Sequence, residues 1–173
     1  MKKSPSNTTE ALCPGCGGIF PSHPGPTQEY MLSSPGCWAR YGDVLAREYS
    51  NPELTKTHRL SVDTYAVQHH GYHDQRAIRS VGLRLARLML QLDRPSGPRE
   101  TNEVMLGLSG AKATIEFLDP PKSFTMTAAD IPLEGPFQKH IEAVQAWACS
   151  TWQASEDHHD YIRNWTKMAL DSR

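Results

Sequence analysis

The stretch 57–73, THRLSVDTYAVQHHGYH, holds four of the eight histidines and a carboxylate inside a helix-forming pattern. At 3.6 residues per turn, His58, Val62, Tyr65 and His69 fall near one face, and Asp63 and His70 share a neighbouring one. Imidazoles beside a carboxylate suit metal ligation or proton transfer near neutral pH. A plainer reading is that histidine is favoured at a helix C-terminus by the macrodipole. Gly71 is expected to end the helix.

The sharpest local motif is LCPGCGG, residues 12–18. Two thiolates in a C-x-x-C knuckle converge on one ion, and the glycines let backbone amides turn toward the sulfurs. A redox dithiol is the rival, but that chemistry wants a strand-to-helix junction, and this pair lies between a polar tail and the Pro-rich segment IFPSHPGPTQ. The spacing fits Zn2+, yet no second C-x-x-C occurs, so ligands must join Cys13 and Cys16 from elsewhere. The candidates are Cys37, His69, His158 and His159. Cys37 falls in the first turn of a helix opened by Ser33 or Ser34 and Pro35, where free amides and the dipole acidify a thiol; it reads as ligand, nucleophile or small buried hydrophobe beside Trp38. Cys149 shares a polar face with Glu142, Gln145, Gln153 and Glu156 and is excluded as a ligand, which also disfavours an iron–sulfur cluster on all four cysteines.

Four ligands would make a structural clamp; three and an open position would make a catalytic site with an acidified water. The surplus of polar groups points to chemistry, with Asp63, Gln68 and His158 as acid–base or ligand-orienting residues and Cys13, Cys16, Cys37, His69 and His159 as metal ligands. Three functions follow. The first is a zinc-dependent hydrolase or transferase. The second is a structural-zinc module that binds a small molecule or partner without catalysis, and the third a cysteine enzyme with Cys37 as nucleophile and His69 as base.

These residues need a helical scaffold. Residues 74–93 carry the strongest amphipathic pattern, with Ile78, Val81, Leu85, Leu88 and Leu92 on one stripe and Arg76, Arg79, Arg84 and Arg87 largely off it, as a solvated face or as partners for an anion. Residues 136–170 read as one long helix or two in succession, with His158 on the inward seam and His159 sharing a face with Trp152 and Ile162. A short helix fits 100–108. TIEFL at 114–118 and FTMT at 124–127 are the strand-like segments, as a small hairpin or extended edges. The expected fold is mainly α: a single-domain bundle of about five helices with an N-terminal Cys knuckle and room for a β-hairpin. Residues 1–11 are expected to be a flexible tail and 12–173 one metal-binding helical domain.

With 173 residues, 38% hydrophobic and 21% charged, the chain suffices for one core and offers no membrane span. Its 18 basic and 19 acidic residues give a net charge of -1, without the basic excess that holds a phosphate backbone, so nucleic acid is not an expected partner. The start, MKKSPSNTTEAL, lacks the apolar core of a secretory signal, and a cytoplasmic location is expected.

Four ordered motifs carry a family resemblance: CPGCG at 13–17, YMLSSPGCWA at 30–39, VDTYAVQH at 62–69, and a late pattern of Trp152, His158, His159, Arg163 and Trp165. Together they span nearly the whole chain, which resembles a bacterial family of small proteins of unknown function. The resemblance implies that the residues singled out on chemical grounds are the family's recurring ones. It implies no particular reaction.

Overall fold

The computed structural model describes residues 9–93, 96–110 and 114–171. The chain opens with an antiparallel ribbon, β1 (Glu10–Leu12) and β2 (Ile19–Pro21), that pairs Ala11 with Phe20 and Leu12 with Ile19. Alternation along the strands turns Phe20 into the core and leaves the Leu12–Ile19 pair outside, 67% and 60% exposed. Of the expected tail, residues 1–8 lie outside the described residues, whereas Glu10 and Ala11 are part of β1.

After the Pro-rich connector comes α1 (Pro35–Tyr49), with Ser34 as its N-cap and Pro35 in its first turn. The Ser34 hydroxyl accepts from Cys37 N–H at 3.2 Å, and the buried residues Cys37, Tyr41, Val44 and Glu48 then recur every three or four positions. A single turn, α2 (Pro52–Thr55), leads to α3 (His58–Gln68), and α4 (Gln75–Leu92) starts at the Asp74 cap, whose carboxylate accepts from Ala77 N–H at 3.0 Å. Next come α5 (Pro98–Gly110), a 3-10 turn (Ala128–Asp130), α6 (Phe137–Ala154), a second 3-10 turn (Glu156–His158) and α7 (His159–Asp171).

The mainly α bundle is as expected, with seven α-helices among the described residues in place of about five. The extra ones are the one-turn α2 and the division of 137–171 at Ser155, which is buried and gives its N–H to Trp152 O and its hydroxyl to Thr151 O. The ribbon is not where strand propensity placed it. Residues 114–127 hold no strand, because their apolar side chains pack on helices instead of pairing. Ile115 and Leu118 are buried in the helical core, and Glu116 N–H donates to Tyr161 Oη of α7 at 2.8 Å.

The core forms two apolar clusters. One gathers Leu85, Leu88, Leu108, Ile162 and Trp165 from α4, α5 and α7; the other gathers Cys13, Cys16, Phe20, Cys37, Tyr41 and Ile131 around the ribbon and α1. Helices α3 and α6 serve both: Val67 and Ala148 face the first, Tyr65, Val144 and Trp147 the second. Gln68 lies between them, accepting from Trp147 Nε1 at 3.0 Å and donating to Thr151 Oγ1 at 2.8 Å and Met126 O at 2.7 Å.

Candidate metal centre

Four side chains from three parts of the chain meet in the second cluster. The knuckle supplies Cys13 and Cys16, the first turn of α1 supplies Cys37, and the residue that ends α3 supplies His69. Their candidate ligand atoms all lie within 4.8 Å of one another. Cys16 Sγ is 3.8 Å from Cys37 Sγ, and Cys37 Sγ is 3.2 Å from His69 Nε2. A tetrahedron with arms of ~2.3 Å has an edge of ~3.8 Å, so these separations suit one zinc-sized ion. Relative exposures of 1%, 3%, 0% and 0% for Cys13, Cys16, Cys37 and His69 close the site to water.

Local backbone chemistry makes the arrangement. Cys13 N–H bonds Gly18 O at 2.8 Å and Gly17 N–H bonds Cys13 O at 3.0 Å, with Gly17 at φ +72°, a turn that brings Gly18 N–H to 3.4 Å from Cys16 Sγ. Gly15 must be glycine, since a β-carbon there would lie 2.3 Å from Leu32 O and 2.8 Å from the His69 ring. Leu32 N–H in turn bonds His69 O at 2.7 Å, fastening the connector to the end of α3. His69 leaves helical geometry at φ -119°, which swings its ring inward. Its Nδ1–H donates to Tyr65 O at 2.6 Å, leaving the Nε2 lone pair toward the sulfurs. Tyr65 is a part of the centre that sequence reasoning placed only on the His69 face: its ring stacks on His69 at 3.8 Å and its hydroxyl donates to Cys37 Sγ at 3.5 Å. Burial pushes that phenol well above its ordinary range, which keeps it a donor.

Three thiols this close cannot all ionise without a cation. Hydrogen bonds from Cys16 and then Cys37 hold the Cys13 thiol far below its usual range. The bond to Cys13 pushes Cys16 up to about 12, and bonds to Cys13 and Cys16, with burial, push Cys37 well above the ordinary thiol range. A cation entering the cluster displaces those protons, so its hold tightens as pH rises.

The other expected site residues are elsewhere. His159 is not in the ligand cluster: its ring stacks on Trp152 at 3.6 Å and Nε2 donates to Trp152 O at 2.8 Å. His158 is likewise apart, its Nε2 donating to Asp119 O at 2.7 Å. His159 keeps its expected place beside Trp152, whereas His158 lies in the 3-10 turn after the break at Ser155 and not on a buried helical seam. Asp63 is fully buried and held by Arg84 and Arg87 of α4, with Gln91 Nε2 at 3.3 Å, so it is an ion-pair residue within the bundle. Gln68 is spent on Trp147, Thr151 and Met126. His70 sits between Val67 O at 2.7 Å and Leu118 O at 2.9 Å. Cys149 lies outside the cluster, as expected. His58 belongs to a second buried group that sequence reasoning missed: Glu48, fully buried, takes His58 Nδ1 at 3.0 Å, His140 Nε2 at 3.3 Å and the Thr57 and Ser61 hydroxyls. The regular recurrence of Glu48 with the buried residues of α1 was its signal.

No described helix is long and apolar enough to cross a membrane. No curated protein and no solved structure matches the chain. A family model does match, over residues 11–156, which takes in the knuckle, Cys37 and His69, and the chain therefore belongs to that family, a family of unknown function (DUF5946).

Proposed function

We propose that this protein is a non-catalytic helical module built round a closed Cys3His zinc centre, with Cys13, Cys16, Cys37 and His69 as the four ligands. The observation that carries the reading is that four mutually adjacent ligand atoms are supplied by side chains no more than 3% exposed. Structural zinc sites fill all four positions with Cys and His, whereas catalytic ones keep a position open to water. A hydrolase or transferase would also need an acid–base group at the ligands, and Asp63, Gln68 and His158 are engaged elsewhere. A cysteine enzyme would need an accessible, acidified Cys37, and that thiol is 0% exposed and pushed upward. Thiolate ligation requires reduced cysteines, which favours a reducing compartment such as the cytoplasm.

The test is elemental analysis of protein purified without affinity metals, followed by chelation under reducing conditions. The expected result is about one zinc per chain, lost in Cys16→Ser, with a large drop in thermal midpoint and helicity on removal, since structural zinc contributes on the order of 10 kcal/mol. Absence of bound metal, or an unchanged midpoint and helicity after its complete removal, would overturn the reading.

A further inference from the structure

Helices α4 and α5 pack together, and beside their contact lies a cavity of about 510 Å³, within the size range of small-molecule sites. Its polar lining includes Ser80, Arg84 and Arg87 from α4 and Asn102 from α5; its apolar lining includes Leu83 and Leu106. Leu106 is 75% exposed, a large apolar side chain left in water at the cavity.

The charge at this cavity does not balance. Asp63 is the carboxylate that meets both arginines, and its acceptor sites are filled: Arg87 donates from Nε at 2.6 Å and from Nη2, Arg84 from Nη1 at 3.1 Å, and Gln91 from Nε2 at 3.3 Å. Two guanidiniums against one carboxylate leave one positive charge over. The remaining N–H groups of Arg84 find no acceptor among the described residues, although its side chain is only 31% exposed. Asn102 accepts from Arg59 Nη1 at 2.9 Å through Oδ1, which keeps its amide nitrogen as a donor and brings a third cation to the rim. A partly buried, underpaired guanidinium among neutral donors is a receptor for a planar anion.

We infer that the cavity binds a small organic carboxylate with an apolar tail, its head group on Arg84 and Arg87 and its tail along Leu83 and Leu106. The positive charge left over calls for an anion, and the apolar lining needs a hydrocarbon partner. The site belongs to the α4–α5 side of the molecule and does not rest on the zinc reading.

Calorimetric titration of the purified full chain with octanoate, octanamide and inorganic phosphate tests it. Octanoate is expected to bind at least about tenfold more tightly than octanamide, the worth of a charge-assisted contact, and more tightly than phosphate, which lacks a tail. Arg84→Gln should weaken octanoate by a similar factor. Ser80→Glu keeps both arginines and places a carboxylate one turn from Arg84, so it should abolish octanoate binding while leaving metal content and unfolding cooperativity as they were. Failure of octanoate to bind, equal affinity for octanamide, tighter binding of phosphate, or undiminished octanoate binding in a folded Ser80→Glu protein would each overturn the inference.

Discussion

Gly15 shows how finely the centre depends on single side chains. The knuckle approaches Leu32 and His69 so closely that even a methyl group has no room. Gly15→Ala should therefore destabilise the zinc-loaded protein by about 1–3 kcal/mol, the usual cost of overpacking. Gly42, inside α1, has nothing within 4 Å of an added β-carbon, so Gly42→Ala should be stabilising by about 0.5–1 kcal/mol through helix propensity alone. Urea unfolding of the two variants measures both, and equal shifts would contradict the packing argument. At this scale the sequence was informative where chemistry is local. A lone C-x-x-C is two ligands short, Ser34 and Pro35 fix where Cys37 sits in its helix, and a histidine at a helix end is free to turn inward. It put His159 beside Trp152 correctly but misplaced His158, which lies in the 3-10 turn that follows Ser155 leaving helical geometry.

Helix pairing determines what the charged residues do. Periodicity placed the arginines of α4 largely off the apolar stripe, and there they are; that two of them meet Asp63 depends on α3 lying against α4, which one helix's pattern does not contain. The late Trp–His–His–Arg–Trp pattern has a similar explanation. Trp152 Nε1 and Arg163 both reach Asp93, at 3.1 and 2.6 Å, so the pattern ties α6 and α7 to the end of α4. The Arg163 guanidinium, then the Trp152 indole, hold the Asp93 carboxyl below its usual range against partial desolvation. Because the folded-state value is depressed, the contribution is present above the unfolded carboxylate range and is lost as pH falls through the lowered folded value. The thermal midpoint should decline on acidification partly through this group, and Asp93→Asn should remove that part of the decline. Parallel curves for the two proteins between about pH 5 and 2 would assign the acid sensitivity elsewhere. The segment 114–127 is the clearest miss at this scale: alternating apolar residues read as strands, yet an extended chain can bury the same residues on helices.

Across the whole molecule the mainly α class followed from helical periodicity and capping, whereas the division of the core into two clusters did not, because it arises from which helices face each other. The ligand spacing has a topological effect: an ion joining Cys16 to Cys37 and Cys37 to His69 closes segments of 21 and 32 residues, restricting the unfolded chain much as a cross-link does. The four candidate ligands meet in the cluster formed by the ribbon and α1, while α4, α5 and α7 meet in the other. Amide hydrogen exchange after chelation should therefore lose protection in two tiers. The ribbon, α1 and the last turn of α3 should exchange first, and α4 and α7 should keep slow amides until global unfolding. Uniform loss across all helices would mean that the two clusters open as a single cooperative unit. On a two-tier result α3 and α6 would belong to both units, and an ion held by Cys13, Cys16, Cys37 and His69 would be a ligand of only one of them.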